Sequence, residues 1–181
     1  MEKIKRSTRD LCYIAMFAAI AAACAFIQVP QPSGVPFTLQ AWGISLAGLV
    51  LGPKRGAMAA LVYVLVGAVG APVFANFQGG IAVIMRPTGG FILSFPIVAL
   101  LAGLGERKEG FVWTFLGLAA GSIFNWSAGL LWFYRMTEHS LAASFGFAVA
   151  PFIVVGVVRT AVLPFLSKAI KAALRKAKLA I

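Results

Sequence analysis

A chain of 181 residues that is 61% hydrophobic and 12% charged, with a mean hydropathy of +0.93, is not a soluble domain, since those carry about 25% charged residues. At roughly 20 residues per bilayer crossing, the length accommodates about six helices in a single membrane domain over residues 1–181. The formal charge of +11 does not indicate nucleic acid, because the cations fall in short segments between apolar runs.

Residues 1–10 carry Lys3, Lys5, Arg6 and Arg9, and the first apolar run is Leu11–Val29. Within it Ala15, Ala19 and Ala23 recur every four residues, with Ala18 and Ala22 alongside. Such a small-residue face lets another helix approach closely in a membrane, either inside this bundle or from a partner. A basic start, an apolar stretch and small residues near Ala22–Ala25 also fit a cleaved leader; the apolar continuation to Val29 and the packing face favour a retained helix. Cys12 and Cys24 lie about three helical turns apart, too far to bridge, and read as buried small hydrophobes.

Pro30–Pro36 is a turn-rich connection. The second run, Phe37–Leu51, is short and contains Gln40 and Trp42; Gly52–Gly56 is a tight basic turn; the third run, Ala57–Ala71, is also short, which suits a tilted or locally thinned arrangement. The stretch Ala71–Phe95 is broken by Pro72, Gly79, Gly80, Pro87, Gly89 and Gly90 yet stays nearly as apolar as its flanks. Irregular backbone at membrane depth persists only where protein buries it or it lines a cavity. The stretch is therefore read as a folded loop over a ligand cavity, with Arg86 its only charge. The fourth run spans about Gly90–Gly105 and ends in Arg107 and Lys108. The fifth, Phe111–Phe133, carries Asn125, Trp113, Trp126 and Trp132. After a loop, Tyr134–Ser144, with Arg135, Glu138 and His139, the sixth run Phe145–Leu166 contains Arg159. A basic tail over residues 168–181 carries Lys168, Lys171, Arg175, Lys176 and Lys178.

The N-terminus, the Lys54–Arg55 turn, the Arg107–Lys108 turn and the tail thus hold thirteen cations, while the opposite loops hold only Arg86 and Arg135. By the positive-inside rule, this predicts an all-α integral membrane protein with six transmembrane helices and both termini cytoplasmic. The loop between helices three and four then faces outward.

Arg159 lies inside the sixth run, and no apolar run contains a carboxylate to neutralise it. An ionisable side chain at that depth marks a functional site by default, with snorkelling to an interface as the alternative. With Arg86 it predicts an anionic ligand, most simply a carboxylate held bidentately. Asn76, Gln78, Thr88, Gln40 and Asn125 are candidate hydrogen-bonding groups, and Trp42, Trp126, Trp132, Phe74 and Phe77 candidate apolar walls. Enzyme chemistry is poorly supplied: His139 is the only histidine, no pair of intramembrane acids exists, and there is no GxxxxGK[ST] phosphate loop. No metal site and no cofactor are expected.

VPFTLQ at Val35–Gln40, LAGLVLGPKRGA at Leu46–Ala57, GAPVFANFQGG at Gly70–Gly80 and RPTGGF at Arg86–Phe91 follow one another in order, with GLLWF at Gly129–Phe133 and APF at Ala150–Phe152. In these motifs the chain resembles the BioY family, the biotin-specific substrate-binding (S) components of energy-coupling factor vitamin importers. The resemblance implies a subunit of the cell membrane that captures biotin from outside. It would dock on a transmembrane coupling protein served by two ATP-binding-cassette ATPases, through an alanine-rich first helix that maps onto Ala15, Ala19 and Ala23. One departure stands out. The family's sixth helix follows PF with an acid and, three positions later, a base, whereas PFIVVGVVR places Gly156 at the acid and Arg159 at the base. The acid would accept from a ureido ring, so its loss makes lipoate, with an apolar ring and a pentanoate tail, an alternative ligand. A stand-alone carrier or channel for a small organic anion is the competing function of another class.

Overall fold

The computed structural model describes residues 8–31, 35–108 and 110–177. The N-terminal cations Lys3, Lys5 and Arg6, the middle of the Pro30–Pro36 turn, and Lys178 lie outside them. In order, the elements are α1 (Thr8–Phe26), β1 (Gln28–Val29), β2 (Phe37–Thr38), α2 (Gln40–Leu51), α3 (Pro53–Ala68), a 3-10 turn (Ala75–Phe77), α4 (Ile81–Ile84), α5 (Gly89–Arg107), α6 (Phe111–Met136), α7 (Leu141–Ala148) and α8 (Ala150–Lys176). Four of them, α1, α5, α6 and α8, are long and apolar enough to cross a bilayer. At 1.5 Å per residue, α2 and α3 are shorter than the ~30 Å hydrocarbon core.

The run boundaries shift for local reasons. The first run stops being helical at Phe26, and Gln28 and Val29 pair antiparallel with Thr38 and Phe37; the β-branched and aromatic residues there suit a short ribbon. The second run becomes helical only at Gln40. The third starts earlier than Ala57, because Gly52 adopts φ +80 and Pro53 then takes the first helical turn, where its missing N–H costs nothing. The sixth run is two helices. α7 begins at Leu141, after Ser140 caps it by accepting from the Ala143 N–H, and the chain breaks at Val149 ahead of Pro151. The basic tail is no separate segment as far as Lys176, being the end of α8.

Tyr63 of α3 sits at the centre of the main core, among Ala21, Ile44, Phe74, Ile92 and Phe95. Helices α1, α2, α3 and α5 thus close around one another, and α6 lies along α5. Small residues permit the approach: Gly105 of α5 and Gly117 of α6 meet backbone to backbone, and Gly48 of α2 lies on the Ala99 carbonyl of α5. Close backbone contact through glycine is how membrane helices gain packing where burial from water contributes nothing. A Cβ at Gly48 would overlap the Ala99 carbonyl oxygen, and Gly56 packs on the other side. Gly48→Val is therefore expected to cost about 3 kcal/mol or more, read as a lowered unfolding midpoint and poor monodispersity in detergent. An unchanged midpoint would mean that α2 and α5 do not pack this way. The outer faces carry Val69, Val112, Val154 and Phe165, all more than half exposed, as a lipid-facing surface requires.

Candidate binding site

A cavity of about 380 Å³ lies among α2, α5, α6 and α8, beneath the loop that joins α3 to α5. That volume is within the range of small-molecule sites, ~300–1,000 Å³.

Arg159 is brought here by α8. It is 4% exposed, and its Nη2 donates to Ser122 Oγ of α6 at 2.6 Å, which itself donates to the Leu118 carbonyl at 2.8 Å. Its Nε has no partner, and the described residues lining the cavity include no carboxylate. Snorkelling is thereby replaced by burial: the side chain stays inside the bundle and keeps its charge beside the cavity. One turn earlier, Gly156 lies against the edge of the Trp126 indole, so that a Cβ at 156 would strike the ring at Cζ2. At the position where the resemblance implies an acid, glycine and the edge of an indole line the cavity instead.

The loop over the cavity is tied to α3 and α1. Tyr63 Oη donates to the Val73 carbonyl at 2.9 Å, the Gly80 N–H donates to the Gly67 carbonyl at 2.7 Å, and Phe74 packs edge-on against Tyr63 at 5.6 Å. At the tip, Asn76 and Phe77 both have positive φ, 59° and 53°, a conformation that asparagine tolerates and phenylalanine does not favour. Two contacts hold it: Gln28 Nε2 donates to Asn76 Oδ1 at 2.6 Å, and Phe77 stacks on Phe26 at 4.2 Å. The loop is strapped to the end of α1. Asn76→Ala removes the hydrogen-bonded half of the strap and raises the cost of positive φ by about 1 kcal/mol. Nicking at Phe77 in limited proteolysis is expected to quicken roughly fivefold; an unchanged rate would show that the strap does not restrain the loop.

Arg86, exposed at the mouth, donates from Nη1 to Gln78 Oε1 at 2.6 Å, while its carbonyl accepts from Trp132 Nε1 at 3.0 Å. Gln40 is part of a chain: Thr38 Oγ1 donates to its Oε1 at 2.9 Å, and its Nε2 donates to Tyr63 Oη at 2.5 Å. Asn125 spends its amide nitrogen on Ser94 Oγ at 2.6 Å and the Phe91 carbonyl at 3.1 Å, joining α6 to α5.

Of the residues singled out in the sequence, Arg159, Arg86, Asn76, Gln40, Thr88, Phe74 and Asn125 line this one cavity, as do Gln78, Trp42 and Trp126. Two do not. Trp132 is turned to the Arg86 carbonyl and packs on Gly90, so it positions the loop from outside; Phe77 is spent on Phe26. The lining also contains Phe91, Phe133, His139 and Phe152, which sequence reading left as helix interior or plain loop. His139 reaches the site by packing between Phe133, stacked at 6.2 Å, and Phe147, tilted at 5.4 Å, a contact with no signature in spacing. Among the described residues no group of His, Cys, Asp and Glu is placed to hold a metal.

Ala15, Ala19 and Ala23 are all exposed along one face of α1, while Tyr13, Ile14, Phe17, Ala21 and Ala25 are buried on the other. Ala15, Ala19 and Ala23 are thus left unpacked within this chain, whereas Ala18 and Ala22 alongside them pack against the main core.

Comparison with known proteins agrees with this fold. Residues 1–176 match the family described as the BioY family. The probable biotin transporter BioY of Pyrococcus horikoshii is 41% identical over 153 residues, covering 84% of this chain and 90% of that protein. The biotin transporter BioY of Thermotoga maritima is 38% identical over 148 residues, 80% of this chain and 85% of that protein. Among solved structures, the S-component for biotin from an ECF-type ABC transporter superposes with a TM-score of 0.80 at 26% identity, covering 97% of this chain and 95% of that one.

Proposed function

The chain belongs to the BioY family, a multi-pass membrane transporter family rather than a family of enzymes, and on that premise we propose that it is the biotin-capturing subunit of an ECF-type importer. The observation that carries the reading is Arg159: a buried guanidinium with an unpartnered Nε beside a cavity whose described lining holds no acid. Such a cavity awaits an anion, and a carboxylate on a short alkyl tail matches both the charge and the largely aromatic walls. Arg86, Gln78 and Asn76 at the mouth, with Thr88, Gln40 and Asn125 further in, supply neutral or second-end hydrogen bonding.

Six crossings with both termini cytoplasmic make α2 and α3 the short pair, accommodated by local thinning or tilt. Residues 1–181 then form one membrane domain with the cavity opening outward. The cations of α3, α5 and the end of α8 gather at the end away from the cavity, which supports that orientation. The exposed face Ala15, Ala19, Ala23 supports docking on a transmembrane coupling protein, with two ATPases supplying the energy and no cofactor held by this chain.

A second reading, lipoate, is favoured by one contact. Gly156 gives its place to the Trp126 ring, which offers an apolar ring a wall and offers ureido N–H groups no acceptor; an unmet buried donor costs ~1–3 kcal/mol. Calorimetry on the purified chain with biotin and lipoate side by side decides between them. Tight biotin binding is expected; lipoate binding with biotin ignored would move the assignment to lipoate, and binding of neither would overturn the carboxylate-vitamin reading.

A further inference from the structure

A second cleft, about 1,150 Å³, lies at the opposite ends of α5 and α8 from the cavity. It is walled by Arg55, Arg107, Lys168, Lys171 and Arg175, and Glu106 is the one acid among its described lining residues. That acid is fully engaged: Lys171 Nζ lies 2.8 Å from its Oε1, and Thr114 Oγ1 donates to its Oε2 at 2.7 Å. Arg55 is paired with Asp10 at 3.0 Å. Arg107, Lys168 and Arg175 have no carboxylate partner among the described residues. Into the same cleft open the starts of α3, at Gly52 and Pro53, and of α6, at Gly110, neither of which has a side-chain cap. Uncapped N–H groups at helix starts add to the attraction for a phosphate.

Beside the cleft, the surface changes abruptly from basic to aromatic. Phe111, next to Gly110, stands 5.6 Å from Phe165 of α8 and 6.4 Å from Phe115; all three are exposed. Phe165 and Lys168, three residues apart on α8, share a helix face. One strip of α6 and α8 therefore runs from an open aromatic seam at lipid depth to unpaired cations at the basic end.

We propose that this cleft is a binding site for an anionic phospholipid, its headgroup phosphate held by Arg107, Lys168 and Arg175 and an acyl chain lying on the Phe111–Phe115–Phe165 seam. The combination distinguishes a lipid from other anions: a soluble phosphate would leave the seam uncovered, and an acidic protein segment would not match its aromatic surface. Basic pockets between helices on the cytoplasmic side are suited to acidic headgroups, at roughly 1 kcal/mol per cation near the surface.

Native mass spectrometry of the purified full chain tests this, with phosphatidylglycerol and phosphatidylcholine of matched chains added in equal amounts, and the monodisperse elution of each variant checking its fold. Wild-type chain is expected to retain phosphatidylglycerol preferentially. Lys168→Gln with Arg175→Gln should weaken that retention about tenfold or more, and Phe165→Ala should weaken it too. Lys176→Gln, which removes a cation outside the cleft, should leave it unchanged. Equal retention of the two lipids, or the same loss from Lys176→Gln as from the double variant, would overturn a built site. Displacement of phosphatidylglycerol by inorganic phosphate with no effect of Phe165→Ala would overturn the lipid as its occupant.

Discussion

Replacing Arg159 with methionine is expected to weaken vitamin binding by about 2 to 3.5 powers of ten while leaving the unliganded chain at least as stable as before. Both halves follow from its surroundings. The guanidinium is 4% exposed, has one side-chain partner in Ser122, and has an orphaned Nε. Removing one partner of a buried ion pair costs ~3–5 kcal/mol because the other charge is left uncompensated, which corresponds to the stated loss at about 1.4 kcal/mol per tenfold. In the free chain the position is reversed: the charge is the uncompensated group, so methionine, which keeps most of the stem's bulk, relieves a cost. Calorimetry reads the first half, and unfolding midpoints with and without ligand read the second. Arg159→Lys should lie between the two, since it keeps the charge and loses the planar fork that matches a carboxylate. A methionine variant that binds within about threefold of wild type would remove Arg159 from the site. One that melts far below wild type without ligand would make it a structural residue.

The second large effect is expected at the other end of the transport cycle. Ala19→Leu should abolish uptake in cells that supply the coupling partners, yet bind the vitamin within about twofold of wild type. Ala19 is exposed between Ala15 and Ala23 on α1, so a larger side chain disturbs nothing inside the chain but holds a partner helix away. Ala21, two residues on, is the contrast. It is fully buried and lies against Gly43 of α2, so Ala21→Leu overpacks the core and should impair binding and uptake together. Unchanged uptake in Ala19→Leu would sink docking through this face and favour a carrier that works alone.

The two kinds of position were unequally legible. Arg159 was visible in the sequence because a charge in an apolar run is a strong signal whatever surrounds it. The loop over the cavity was visible too, since repeated glycine and proline cannot continue a helix and an apolar loop must be covered. The alanine spacing displayed a packing face but not its user. Both internal packing and docking produce the same repeat, and only the burial of Tyr13, Phe17 and Ala21 on the opposite side shows that this chain leaves Ala15, Ala19 and Ala23 open.

Composition and charge distribution determined the class of the protein, because transfer of residues into a bilayer depends on each residue's own chemistry. Tertiary structure alone decided which side chains share the cavity. Trp132 and Trp126 lie six residues apart on α6, yet Trp126 reaches the cavity across Gly156 whereas Trp132 is held by Gly90 and the Arg86 carbonyl. His139 joins the lining by packing between Phe133 and Phe147. Contacts of this kind depend on where two helices cross and how near a glycine lets them come, and that distance is set by the whole bundle rather than by any single run of sequence.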